Sequence, residues 1–214
     1  MLPKINISKI LLVKIVLSIY YLVGVIGLLH PLTYALFQQL IPFTLISTLV
    51  VLLFFHGKWE KRHIGVFLLI ALLGFLVEVV GIATGLVFGD YEYGHTLGFE
   101  LWGTPPIIGL NWLLLVYAIY GFWESYRIPT LAKILLGALM LVGLDVALEP
   151  VAIALNMWSW AGGAVPFQNY VAWFVISVVF LGIMHLAKIK LNNPVAGFVY
   201  FVQLIFFVIL CVLL

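Results

Sequence analysis

Apolar residues run almost unbroken through most of this chain, in stretches of about 20 positions with short breaks between them. Seven such runs cover 10–29, 35–55, 64–84, 105–123, 131–154, 169–187 and 194–214. Within each run the apolar positions are continuous rather than alternating. That favours membrane-crossing helices over a barrel, whose strands alternate apolar and polar. The pattern predicts an all-α, polytopic membrane helix bundle of seven spans. Internal repeats and linkers are absent, so residues 1–214 read as one domain. Two connections are longer than the rest, 85–104 and 155–168.

Composition removes the competing classes. Of 214 residues, 65% are hydrophobic and 8% are charged, against roughly 25% charged in a soluble domain. Mean hydropathy is +1.26. Such a chain cannot cover itself with polar surface in water. It also lacks the charge that disorder or nucleic-acid binding requires. The lone cysteine, Cys211, can form no internal disulfide. The basic then apolar start resembles a signal peptide, but no small-residue cleavage site follows it. It reads as a retained first span.

The positions of the charges orient the bundle. Lys4, Lys9 and Lys14 precede or open span 1. Lys58, Lys61 and Arg62 fall between spans 2 and 3, Arg127 and Lys133 between spans 4 and 5, and Lys188 and Lys190 between spans 6 and 7. With seven spans all ten lie on one side, which the positive-inside rule makes cytoplasmic. The N-terminus is then inside and the C-terminus outside, in what reads as a prokaryotic cell membrane. Glu60 and Glu124 join the inner loops. The other six acids, Glu78, Asp90, Glu92, Glu100, Asp145 and Glu149, fall in the outer half with no basic partner on their side.

Three of these acids lie within apolar runs, where a charge costs about 2.5–3.5 kcal/mol at the bilayer centre. Asp145 and Glu149 are four residues apart, so they share a helix face about 6 Å apart along the axis. Two carboxylates that close in low dielectric do not both ionise, which leaves a neutral acid beside a conjugate base. The pair suits proton transfer with an apolar substrate; it also suits a structural hydrogen-bonded pair between helices. Glu78 admits the same two readings. The glycine- and aromatic-rich 85–104 connection is short of lysine and reads as a lid or as an interfacial anchor. The 155–168 connection repeats its style with Trp158 and Trp160. Asn111 and Asn169 open spans 4 and 6 on the outer side. Either could hold a carboxylate, a water or a neighbouring helix. Trp112 and Trp173 could flank a developing cation or simply pack.

Missing residues exclude other chemistries. The histidines at 30, 56, 63, 95 and 185 make no HxxxH or HxxHH box for a di-iron oxygenase. Spans 6 and 7 carry no interior lysine for a retinal Schiff base. A prenyltransferase needs basic groups beside its acidic Mg²⁺ ligands, and here the bases lie on the opposite side. No nucleotide or phosphate fingerprint occurs.

Two segments carry a resemblance. One runs from Glu78 through Gly81, Thr84-Gly85, Phe88-Gly89, Tyr91, Tyr93, Leu97-Gly98, Gly103 and Pro105 to Trp112. The other runs from Asp145 through Glu149-Pro150, Trp158, Trp160, Pro166 and Asn169 to Trp173. The chain resembles the integral-membrane carotenoid biosynthesis family, which includes bisanhydrobacterioruberin hydratase and γ-carotene 1′-hydroxylase. It departs from the family pattern at Thr104-Pro105-Pro106, where the pattern has Val and a single Pro, and at Val165-Pro166, which lacks a preceding tyrosine turn.

The resemblance implies a cofactor-free, metal-free carotenoid hydratase. Such an enzyme adds water across the terminal C1–C2 double bond of an acyclic ψ end group, on lycopene, γ-carotene or a related substrate. The expected roles put Asp145 and Glu149 as acid and base, with Glu78 assisting. Asp90, Tyr91, Tyr93, Asn111, Trp112, Trp158, Trp160, Asn169 and Trp173 form the surrounding substrate-binding set. Two alternatives stay open at this point. One is proton-initiated cyclisation of the same end group, although the Pro-x-Glu-Glu pair of such cyclases is absent. The other is a non-catalytic carotenoid or lipid binder or small transporter.

Overall fold

The computed structural model describes residues 7–214; Lys4, one of the ten basic residues, lies outside them. Eight α-helices make up the bulk of the described chain: α1 (Ile7–Leu29), α2 (Tyr34–Gln39), α3 (Ile41–Phe54), α4 (Lys61–Thr84), α5 (Ile107–Glu124), α6 (Thr130–Ala154), α7 (Phe167–Leu186) and α8 (Ala196–Leu213). Two short strands, β1 (Tyr91–Tyr93) and β2 (Trp158–Trp160), sit in the two long connections. Six helices among the described residues are long and apolar enough to cross a membrane: α1, α4, α5, α6, α7 and α8. The chain is an all-helical integral membrane protein.

The expected second span, 35–55, is not one helix. It breaks at Leu40 into α2 and the 14-residue α3, which alone is about 21 Å long and short of a hydrocarbon core of about 30 Å. Pro42 explains the break. It lies in the first turn of α3 and has no N–H to offer the Gln38 carbonyl, so the ladder stops and a new helix starts there.

The two ends of the α2–α3 unit bond to different parts of the bundle. Gln38 Nε2 donates to the Leu155 carbonyl just past α6, at 2.7 Å. The Leu52 carbonyl accepts from Asn193 Nδ2, before α8, at 2.8 Å. Near the latter end, Tyr120 in the last turns of α5 donates to the Ile189 carbonyl, and Lys14 lies over the Phe198 ring.

Helix α5 forms the core. Every residue from Trp112 to Ile119 is buried, as expected of a helix apolar on all sides. Gly109 on α5 lies against the Ala71 carbonyl of α4, too close for any Cβ, so the two backbones pack directly. Helix α4 ends on Gly85, whose φ of +65° is the left-handed C-cap that glycine adopts at little cost.

The two long connections then pair with each other. Strands β1 and β2 run antiparallel with Tyr91 opposite Trp160, Glu92 opposite Ser159 and Tyr93 opposite Trp158. Strand alternation puts the two tyrosines and two tryptophans on one face and Glu92 and Ser159 on the other. The aromatic face closes over the ends of α4 and α6. The glycine-rich 85–104 segment thus takes the lid arrangement, tied down further by Thr96 Oγ1 to the Leu155 carbonyl.

Candidate active site

Glu78 lies near the end of α4, and Asp145 and Glu149 lie in the last turns of α6. Their exposures are 5%, 0% and 2%. Each is held by neutral donors. Glu78 Oε2 accepts from the Tyr91 hydroxyl at 2.5 Å and the Tyr93 hydroxyl at 2.9 Å, and Oε1 accepts from Trp112 Nε1 at 2.9 Å. Glu149 Oε2 accepts from Trp158 Nε1 at 3.0 Å and Trp160 Nε1 at 2.9 Å.

Asn169, in the first turn of α7, links the second carboxylate to the third. Its Nδ2 donates to Asp145 Oδ2 at 2.8 Å and to Glu149 Oε1 at 3.2 Å. Asp145 Oδ1 is buried without a partner. Among the described residues the one ion pair is Arg62–Glu60, at the start of α4. Burial, reinforced by the Glu78 carboxylate, holds the Tyr91 and Tyr93 phenols well above the ordinary tyrosine range. Both therefore remain O–H donors at any physiological pH.

Glu78 and Glu149 line a common cavity of about 30 Å³. A water needs roughly 10–15 Å³ of such space, so one or two waters fit. The remaining wall is aromatic and apolar: Phe88, Tyr91, Tyr93, Ile108, Trp112, Trp158, Trp160 and Trp173, with the amides of Asn111 and Asn169. Trp173 lies against Trp112 with ring centres 4.4 Å apart. No hydrogen bond of the Asn111 side chain is formed among the described residues, so its amide is free for a ligand.

The model of a family described as carotenoid biosynthesis proteins matches residues 39–214. The chain belongs to this family. Among curated proteins, the bisanhydrobacterioruberin hydratase of Haloarcula japonica is 32% identical over 119 residues. That stretch covers 50% of this chain and 39% of the relative, so the match spans well under half of the relative's length. No solved structure matches.

The carotenoid biosynthesis protein thus gathers most of the residues its sequence singled out. Tyr91, Tyr93, Asn111, Trp112, Trp158, Trp160, Asn169 and Trp173 all meet at the cavity. Asp145 stands behind Asn169 and does not line it. Asp90 is exposed, away from the cavity, and takes part through its backbone carbonyl, which accepts from Ala161 N at 3.0 Å. Phe88 and Ile108 are wall residues that the reading of candidate chemistry did not assign. Phe88 had a signal in Gly81, whose missing side chain leaves room for that ring. Ile108 had none, being one apolar residue in an apolar run.

Proposed function

We propose that this carotenoid biosynthesis protein hydrates the terminal C1–C2 double bond of an acyclic carotenoid end group. The observation that carries the reading is the water-sized cavity between Glu78 and Glu149. Two carboxylates face it, aromatic rings wall it, and no cation among the described residues lines it. The hydratase name of the Haloarcula japonica relative agrees with this assignment.

The chemistry needs only these groups. A neutral carboxylic acid protonates C2, and the positive charge settles on the tertiary C1. Water adds its oxygen to C1 and gives a proton to a carboxylate, so the site regains the proton it lost. Glu149 is the member of the Asp145–Glu149 pair that meets substrate. Asp145 accepts from the same Asn169 amide and acts on Glu149 through its charge, since two such buried carboxylates do not both ionise, and so is a positioning residue. Glu78, fixed by three donors, orients the water together with Asn111. Indole and phenol faces shelter the cation, and exclusion of bulk water protects it from stray capture. No cofactor has a step in this scheme.

Topologically we read the chain as one domain of seven crossings, N-terminus inside, with α2–α3 as one broken crossing. Support comes from the bonds of α2 and α3 at opposite ends of the bundle and from the one-sided basic residues. The membrane is read as the cell membrane of a prokaryote, with lycopene or γ-carotene as substrate. The test is expression in hosts that accumulate either pigment, followed by mass measurement. Gain of one water, with its oxygen drawn from isotopically labelled water, is the expected result. A product of unchanged mass points to cyclisation. Oxygen drawn from O₂, or no new pigment in any acyclic background, overturns the reading.

A further inference from the structure

The carboxylate cavity adjoins a second, larger one. Ile108, Asn111 and Trp158 line both. The larger space is about 200 Å³ and runs between α1, α3, α6 and α8, walled by side chains such as Leu28, Leu144, Leu148 and Phe206. An apolar cavity of about 150 Å³ is dry and holds benzene. This one is larger and takes a longer, branched hydrocarbon.

Its boundaries suggest how it is filled. Hydroxyl bonds clasp α1 to α3 on one side of it: Tyr20 to Thr44 at 3.2 Å and to Ser47 at 3.0 Å, and Tyr21 to Thr48 at 3.0 Å. Helix α2 bounds it on the other side, through Phe37. Between the two, Val23, Leu40 and Phe43 line the cavity yet are 47%, 39% and 60% exposed on the outer face of the bundle. Val23 lies on α1, Leu40 at the α2–α3 break and Phe43 on α3, all three apolar, so the surface they share with the cavity faces hydrocarbon and not water.

We propose that the larger cavity seats the isoprenoid chain next to the reacting end group. The chain enters sideways from the bilayer between α1 and α3 and reaches the carboxylates past Asn111. This rests on the proposed carotenoid substrate and adds the path by which it arrives. Apolar burial supplies the binding, and the polar amide of Asn111 marks where the hydrocarbon stops and the water begins. Because the mouth admits one end, the rest of a long polyene stays in the lipid. A substrate with two acyclic ends must therefore leave and return to react twice, and its singly modified form accumulates in a time course.

The experiment uses the full chain in nanodiscs with lycopene as the probe. A benzophenone side chain is placed at Phe43 in the mouth and, as control, at Val175, which is exposed on α7. Illumination followed by mass spectrometry should give a lycopene adduct at Phe43 well above that at Val175. A V23W substitution, on the lipid-facing surface and so harmless to the core, should suppress the adduct. Where turnover is measurable, it should also raise KM by about tenfold with kcat nearly unchanged. Equal adducts at the two positions, or only phospholipid adducts at Phe43, overturn the proposal whatever the activity. A lycopene adduct at Phe43 in a protein that modifies no carotenoid upholds the path and sinks the hydratase reading instead.

Discussion

Replacing Glu149 by Gln separates chemistry from packing more cleanly than any other change at the site. The side chain keeps its size and one carbonyl oxygen. That oxygen can still take both indole hydrogen bonds, from Trp158 and Trp160. The new NH₂ group then faces Asn169 Nδ2, which now donates to Glu149 Oε1. Asn169 can turn its amide over to accept, but it then gives up its 2.8 Å bond to Asp145. One buried hydrogen bond is lost, which costs about 1–3 kcal/mol of stability. The catalytic loss should be larger. A positioned acid or base contributes about 10²–10⁴-fold, or roughly 3–5 kcal/mol of barrier at about 1.4 kcal/mol per tenfold.

The assay is the initial rate of hydrated product from lycopene in nanodiscs, beside the thermal unfolding midpoint of the same preparation. The expected variant unfolds somewhat earlier, still binds the polyene, and turns over at least about a hundredfold more slowly. A folded E149Q protein within about tenfold of wild-type turnover refutes the role given to this carboxylate. It would leave the three indole and amide bonds as a purely structural knot.

Three further outcomes follow from the same geometry. Y91F and Y93F each remove one of two phenols from the same Glu78 oxygen; the double variant should lose more rate than the two single losses combined, measured as a double-mutant cycle. D145N, which does not touch the cavity, should lower kcat and displace the pH–rate profile while leaving KM near wild type; an unshifted profile counts against charge coupling between Asp145 and Glu149. N111L should slow water capture with little effect on unfolding, since its amide has no hydrogen bond to lose; a wild-type rate excludes it from holding the water.

His56, between α3 and α4, is pushed down to about 4 by burial, with the neighbouring His63 adding to this. The unfolded chain binds a proton there between about pH 6.5 and 4 while the folded chain does not. This contribution to stability is therefore complete above about pH 6.5 and is lost as pH falls toward 4. H56Q, which can keep the bond to Tyr117 Oη, should flatten that limb of the unfolding midpoint against pH.

Much of this was legible in the sequence because membrane helices announce themselves by length and hydropathy. The runs at 64–84, 105–123, 131–154 and 169–187 match α4, α5, α6 and α7 to within a few residues. The run at 35–55 did not match, because hydropathy cannot register that Pro42 lacks the one N–H the helix needs. At the site, the spacing of Asp145 and Glu149 placed both on one face of α6, as i and i+4 must. Their different fates were not readable. Glu149 reaches the cavity while Asp145 stops behind Asn169, and that difference depends on where α7 docks. The β1–β2 pairing was also hidden. Three-residue strands carry almost no periodic signal, and their register is set by partners 67 residues apart, as for Glu92 and Ser159.

The neutral character of every donor at the site connects the charge pattern to the chemistry. Six side chains, two phenols, three indoles and one amide, fix three carboxylates without a single Lys, Arg or His among them. A cation within about 4–6 Å would favour the ionised form of each carboxylate and leave no proton to give to an alkene. It would also repel the carbocation that follows. Phenols and indoles do the orienting instead. Their O–H and N–H edges hold the oxygens in place, and their ring faces are negative, so they attract the developing positive charge. One set of aromatic residues can thus serve both halves of the reaction. Such a site gains from distance to basic residues, and Glu78, Asp145 and Glu149 lie in the C-terminal halves of α4 and α6, whereas Lys61, Arg62 and Lys133 lie in the first turns of those helices.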